Sequence, residues 1–315
     1  MKTAYLYPGQ GSQKTGMCQA FYEAYPSVRA RMEEASSLLG YDLPAILLVP
    51  DERLNRTEYT QPAMVACELA MTEAAAQMLA EHGMQASYSA GLSLGEYAAI
   101  AEAGALTFAD AVTTVAERGR LMAGAVPAGE GAMAAVLGAE NALVEETVSG
   151  IDGVTIANYN CPGQLVITGR KIAVEAAIEK LKSAGVRKCI LLNVSGPFHS
   201  PLLAGAGTAL RPVLDALTWK PLSHPYVANV NAEPVTDAAE IPVLLERQVA
   251  SSVLWEQSVV RMLQDGTDTF VEIGPGKTLT GFVKKIVKAH AAELGLQPDQ
   301  IRTYSIETPA DLEML

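Results

Sequence analysis

The chain has 315 residues, 49% hydrophobic and 18% charged, enough to bury one large core or two coupled ones. A formal net charge of -12, with no dense Lys/Arg run against it, disfavours nucleic acid and anionic lipid as partners. No apolar run approaches the roughly 20 residues that span a bilayer, and the start lacks a basic segment followed by a long apolar one, so a cytoplasmic, non-membrane protein is expected. Cys18, Cys67, Cys161 and Cys189 form no Cys-x-x-Cys pair and read as reduced, mostly buried thiols.

In chain order, Thr3 to Pro8 reads as a strand, followed by the loop Gly9-Gln10-Gly11-Ser12-Gln13, whose backbone amides can be aimed at a ligand. A long helix rich in Ala and Met is expected over Gln61 to His82, then a short strand over Ala86 to Ala90. Next comes Gly91-Leu92-Ser93-Leu94-Gly95-Glu96-Tyr97, leading into a helix over Glu96 to Ala103. Strand, sharp turn and helix in this order are the context of a nucleophile elbow. The glycines suit strained angles and close backbone contact. Ser93 then stands at the helix N-terminus, where the amide of Leu94 and the helix dipole face any oxyanion formed on an attacked carbonyl. Taken alone, Gly-x-Ser-x-Gly also occurs in ordinary turns.

A second helix is expected from Phe108 to about Met122, with Phe108, Ala111, Val115, Arg118 and Met122 on one apolar stripe. Arg118 therefore falls where a guanidinium must snorkel out, pair with an internal Asp or Glu, or meet an anionic ligand. The last reading makes it a bidentate clamp for a carboxylate, a task for which Arg is better suited than Lys.

From Gly131 to Val194 the pattern becomes strand Ala132 to Leu137, helix Glu140 to Val148, strands Val154 to Ala157 and Leu165 to Thr168, helix Ile172 to Ala184, and strand Cys189 to Val194. This is the βαββαβ order of a ferredoxin-like unit. The fold class is thus α/β: a parallel-sheet large subdomain formed by 1–126 and 197–315, with a small ferredoxin-like subdomain, 127–196, inserted. Turn-rich linkers are expected at 125–131 and 195–197, with the site in the cleft between the units.

A serine nucleophile needs a base, and the histidines are His82, His199, His224 and His290. His199 follows Gly196-Pro197-Phe198 and precedes Ser200-Pro201, a good N-cap and first helical residue, so a helix N-terminus would keep the imidazole neutral. His82 beside Gly83 reads as a helix C-terminal capping side chain, His224 as a loop residue before Pro225, and His290 as part of a basic tail helix.

Together with Thr60-Gln61-Pro62-Ala63, Arg118-Gly119, Gly131-Ala132-Met133-Ala134, Asn160-Cys161-Pro162-Gly163-Gln164, Pro197-Phe198-His199-Ser200, Gln248 and Glu272-Ile273-Gly274-Pro275-Gly276, the two glycine motifs resemble malonyl-CoA:acyl carrier protein transacylases in order and spacing over nearly the whole chain. The set is similar also to polyketide synthase acyltransferase domains. The resemblance implies a hydrolase-like α/β subdomain with the ferredoxin-like insertion. It implies Ser93 as acylated nucleophile, His199 as base, Arg118 as holder of the malonyl carboxylate, the amides of Gln10 and Leu94 as oxyanion hole, and the carbonyl of Gln248 as the group orienting His199.

The implied reaction is ping-pong, from malonyl-CoA to Ser93 and on to the phosphopantetheine thiol of acyl carrier protein, with no cofactor of the enzyme's own. Leu92 departs from a frequent histidine, Ala123 from a frequent glutamine and Ser252 from a usual proline. Leu92 removes a polar neighbour of the acyl pocket, whereas Phe198 resembles the malonyl-selecting form by crowding a methyl branch. Lys284, Lys285 and Lys288, with Arg187 and Lys188, are the expected docking patch for an acidic carrier protein, or else a solvated face. Fatty acid synthesis is the expected pathway and a monomer the expected state. The alternatives are a trans-acting polyketide acyltransferase, or an acyl hydrolase using the same Ser-His pair.

Overall fold

The computed structural model describes residues 1–194 and 196–315. Ser195, within the expected exit linker, lies outside the described residues. Ten strands are described: β1 Thr3–Tyr7, β2 Ala86–Gly91, β3 Gly131–Leu137, β4 Val154–Cys161, β5 Gln164–Arg170, β6 Lys188–Leu191, β7 Tyr226–Val227, β8 Pro234–Val235, β9 Thr269–Ile273 and β10 Arg302–Ile306. They form a six-stranded sheet in the order β10-β9-β1-β2-β7-β8 and a four-stranded sheet in the order β4-β5-β3-β6.

In the large sheet, β10, β9, β1, β2 and β7 run parallel and only β8 is antiparallel. All five residues of β1 and of β9 are buried, because a central parallel strand is covered on both faces. Alternation sorts their side chains: Tyr5, Tyr7, Val271 and Ile273 enter one core, while Ala4, Leu6 and Phe270 enter the other. The first core is closed by the helices Pro26–Leu39, Thr57–Glu81 and Phe108–Gly124, the second by Trp255–Gln264 and Thr278–Leu294.

The helix expected from Gln61 begins earlier, at Thr57, and carries Pro62 inside it. Its first turn is packed against Phe108–Gly124 at Gly119, where a Cβ would stand 2.8 Å from the carbonyl oxygen of Thr57. That backbone approach holds the start of the helix in place ahead of a residue that normally marks a boundary. At the other end, His82 occupies the capping position, but its side chain is exposed. Backbone bonds close the helix instead: Gly83 N–H donates to Ala80 O at 2.9 Å and Met84 N–H to Leu79 O at 2.8 Å, with Gly83 left-handed.

The small sheet is wholly antiparallel, with the helices Asn141–Ser149 and Lys171–Ser183 as its two crossovers. Ala134 and Val136 of β3 point into a core with Leu165, Ile167, Val144 and Val174. Met133 and Ala135, one residue out of step, face the opposite way and line the cleft. The strand expected over Cys189 to Val194 ends at Leu191, after which Leu192 N–H still donates to Met133 O at 2.9 Å. Ser252, where proline is usual, donates its hydroxyl to Ile156 O at 2.6 Å, and Val253 N–H donates to Ala157 O at 2.8 Å. These bonds tie the large unit to β4.

The four cysteines are free, Cys189 half-buried and the others buried, and no described helix is long and apolar enough to cross a membrane.

Candidate active site

The loops after β1 and β2, neighbours at the centre of the sheet, open at their carboxyl ends into a cavity of about 260 Å³. Gln10, Leu92, Ser93, Arg118, Phe198 and His199 line it from the large unit, and Met133, Asn158, Asn160, Gln164 and Val166 from the small one.

The elbow is built by close approach. A Cβ on Gly91 would lie 1.9 Å from the carbonyl carbon of Gly95, and one on Gly95 would lie 2.2 Å from Tyr7 O. The left-handed angle expected of a glycine falls instead on Ser93, at φ 55°, and His199 is likewise left-handed at φ 59°. Both cost backbone energy, on the order of 1–3 kcal/mol for such positions, so surrounding bonds must hold them. Asn229 grips the elbow from below: its Oδ1 accepts from Ser93 N–H at 2.7 Å, and its Nδ2 donates to Gly91 O at 2.8 Å.

Ser93 Oγ lies 2.7 Å from His199 Nε2. On the far side of the ring, Nδ1 faces two carbonyls, Gln248 O at 2.9 Å and Ser251 O at 3.1 Å. Carbonyls only accept, so Nδ1 carries the proton and Nε2 presents its lone pair to the Ser93 hydroxyl. Burial, and then the nearby Arg118 cation, push His199 down to about 4. The expected helix start is present, with Ser200 at the N-cap position and Pro201 opening a three-residue turn that runs into the helix Ala204–Asp215, but the Ser200 hydroxyl donates to Pro197 O at 2.6 Å rather than capping it.

Arg118 is 1% exposed. Its Nη1 donates to Gln61 Oε1 at 2.9 Å, and its Nη2 donates to Gln248 Oε1 at 2.9 Å and to Ser93 Oγ at 3.3 Å. The guanidinium also lies over the Tyr97 ring, 5.4 Å from its centroid. Of the three options open from its position on the stripe, snorkelling and an internal salt bridge are both absent among the described residues. A cation held by two neutral amides in a cleft retains most of its capacity for an anion.

Leu94 is buried behind Ser93, and the backbone N–H groups of Gln10 and Leu94 have no acceptor among the described residues. The Gln10 side chain is anchored away, on Thr57 Oγ1 at 3.0 Å. Leu92 and Phe198 form apolar wall, while Ala123 does not line the cavity. The remaining histidines pair with carboxylates elsewhere or face solvent: His224 Nε2 is 3.0 Å from Glu102 Oε2, and His290 Nε2 is 2.8 Å from Glu256 Oε1.

The five basic residues of the expected patch are all exposed and form no ion pair among the described residues. They do not share one surface evenly. Lys284 lines a separate depression with Lys277, Tyr304 and Asp311, whereas the positive charge of Lys285 reaches Cys161 beside the cavity. Arg187 and Lys188 sit at the start of the edge strand β6.

Four further contributors escape the sequence reading: Asn229, Glu96, Ser251, and Gln61 as the second amide on Arg118. Glu96 and Gln61 lie within motifs quoted above, which was the available signal. Asn229 and Ser251 carry none.

A serine held against a neutral imidazole, at a strand-to-helix turn over a parallel sheet, is the arrangement of enzymes that work through an acyl-serine. The chain belongs to the acyl transferase domain family, whose model matches residues 4–308. Within it, the chain is 40% identical over 318 residues to the malonyl CoA-acyl carrier protein transacylase of Bacillus subtilis, covering 99% of this chain and 96% of that one. The fold is similar to the crystal structure of malonyl-CoA:acyl carrier protein transacylase from Xanthomonas oryzae, with TM-score 0.91, 39% identity, and 100% and 98% of the two chains covered. It is similar also to a malonyl-transacylase solved in complex with its type II PKS acyl-carrier protein, with TM-score 0.90, 36% identity, and 100% and 98% covered.

Proposed function

We propose that the protein transfers the malonyl group of malonyl-CoA to the phosphopantetheine thiol of an acyl carrier protein through a malonyl-Ser93 ester. The observation that carries the reading is Ser93 Oγ held between a base, His199 Nε2 at 2.7 Å, and a cation, Arg118 Nη2 at 3.3 Å. A nucleophile so placed is matched to an acyl group that bears its own carboxylate.

In the first half-reaction the Ser93 hydroxyl gives its proton to His199 as Oγ bonds to the thioester carbonyl. The amides of Gln10 and Leu94 receive the oxyanion. Collapse breaks the carbon–sulfur bond, and CoA leaves as a thiol with the proton from His199. In the second half the carrier thiol gives its proton to His199 and attacks the ester, and Ser93 departs with the proton returned. One thioester replaces another, so the exchange is nearly balanced and no cofactor of the enzyme takes part. A backbone carbonyl suffices to orient His199, because a thioester is more electrophilic than an amide.

The two units, 1–126 with 197–315 and 127–196, form the walls that shield the waiting ester from water. Phe198 crowds a methyl branch and favours malonyl over methylmalonyl, while Leu92 supplies an apolar rather than a hydrogen-bonding neighbour. Lys285 leads the docking patch, because its charge reaches Cys161, next in sequence to the cavity-lining Asn160. The protein acts as a cytoplasmic monomer in fatty acid synthesis. The similarity to a partner of a type II PKS carrier keeps polyketide supply as the second reading. Arg118 argues against a hydrolase of neutral esters.

Initial rates with malonyl-CoA and holo carrier protein varied together test the mechanism. Parallel double-reciprocal lines are expected, and intersecting lines would exclude the acyl-serine route.

A further inference from the structure

Glu96 lies buried beneath the elbow, and nothing in the reaction above uses it. Its Oε2 accepts from Gln248 Nε2 at 2.7 Å and from Asn229 N–H at 3.2 Å. The same Gln248 amide nitrogen donates to Ser93 O at 2.8 Å, while its oxygen accepts from Arg118 Nη2 at 2.9 Å. Gln248 is fully buried, so no solvent substitutes for these partners. A carboxamide has a donor end and an acceptor end of nearly the same shape. Turned over, the Gln248 amide would set its oxygen against two acceptors and its NH2 against a guanidinium.

We propose that Glu96 is a positioning residue: its acceptor oxygen fixes the sense of the Gln248 amide and thereby aims Arg118 at the acyl carboxylate. The inference rests on Arg118 acting as the clamp of the proposed function. It concerns a residue 22 positions upstream of that clamp, joined to it by hydrogen bonds through Gln248 and by direct charge attraction. The second bond to Glu96 reinforces the arrangement, because Asn229, which grips Ser93 N–H and Gly91 O, is anchored on the same oxygen. Burial pushes Glu96 up to about 8, against the pull of Gln248, Asn229 and Arg118. Near neutral pH it is therefore the lone pairs of Oε2, not a full charge, that the arrangement employs.

Two substitutions separate this from a packing role. Glu96→Gln keeps an acceptor oxygen in place, whereas Glu96→Leu keeps the bulk and removes it. The readout is the ratio of kcat/KM for Ser93 acylation by malonyl-CoA to that by acetyl-CoA. Glu96→Leu should lower that ratio about 10-fold, as expected for one lost buried hydrogen bond, and Glu96→Gln should leave it within about twofold of wild type. An unchanged ratio in Glu96→Leu, with both rates falling together, would overturn the proposal. So would a ratio in Glu96→Gln as low as in the leucine variant, and this arm stands even if Glu96→Leu does not fold. A wild-type enzyme with no malonyl preference would remove the clamp itself, and is distinguishable because it needs no variant.

Discussion

Arg118 Nη2 donates to Ser93 Oγ across 3.3 Å, so the cation rests on the proposed nucleophile. The same Nη2 is held by Gln248 Oε1, and Nη1 by Gln61 Oε1, which leaves the guanidinium flanked by neutral oxygens. On the proposed function, an arriving carboxylate would meet a charge already desolvated and aimed, whereas an acetyl group would meet nothing it can use.

Replacing Arg118 by Ala should therefore lower kcat/KM for malonyl-CoA by about 100-fold, roughly 3 kcal/mol for a charge-assisted pair. Transfer from acetyl-CoA should change by less than about threefold or improve. Parallel measurement of both substrates checks this, and an equal loss would assign Arg118 to the general reaction rather than to the carboxylate.

The pH dependence follows from the environment of His199. Its folded value is depressed to about 4 from 6.5, by burial first and Arg118 second, so the neutral base persists well below the usual imidazole range. The acid limb of kcat/KM should lie near 4 rather than 6.5, and in Arg118→Ala it should move part of the way back up. The stability consequence has the same sign. Between 6.5 and about 4 the unfolded chain takes up a proton at this position that the folded chain refuses. Stability is thus retained above 6.5 and lost as pH falls through that window, by about 3 kcal/mol. Denaturant melts of wild type and His199→Gln across the window measure the difference.

Much of this site was legible in the sequence. Ser93 announced itself through the strand, glycine and helix around it, and Arg118 through its place on an apolar stripe, because both signals are local. His199 stood out among the histidines by its setting before Ser200-Pro201, but a local signal does not give its proximity to Ser93, which spans 106 positions of chain. Asn229 gave no signal, because its grip on Ser93 N–H lies 136 positions away and its neighbours are ordinary loop residues. The carbonyl of Gln248 was expected, but not its amide, which links Arg118, Ser93 and Glu96. For the fold, the βαββαβ order read from Gly131 to Val194 matches the described four-stranded antiparallel sheet, while Pro62 hid the first turn of a helix that Gly119 holds by backbone contact.

Glycines divide into those that position the nucleophile and those that do not. Gly91→Ala should cost about 3 kcal/mol or more and abolish acylation, because the new Cβ meets backbone at 1.9 Å. Gly281→Ala, inside Thr278–Leu294 with nothing within 4 Å, should stabilise by about 1 kcal/mol through helix propensity alone. Thermal denaturation of the pair tests the contrast.

Charge reversal should separate two of the three lysines on that helix, Lys284 and Lys285. Lys285→Glu should raise KM for carrier protein severalfold while leaving Ser93 acylation intact, and Lys284→Glu, which lines a different depression, should do less. Equal effects would place the docking surface across both faces of the helix, and no effect in either would remove it from this helix.

The central claim is an acyl group carried on Ser93 and passed to a thiol rather than to water. Intact mass of the protein after incubation with malonyl-CoA measures it most directly. A single malonyl adduct is expected, absent in Ser93→Ala, stable in buffer and discharged on addition of holo acyl carrier protein. An adduct that persists in Ser93→Ala, or that is lost to water as fast as to the carrier, would contradict the account.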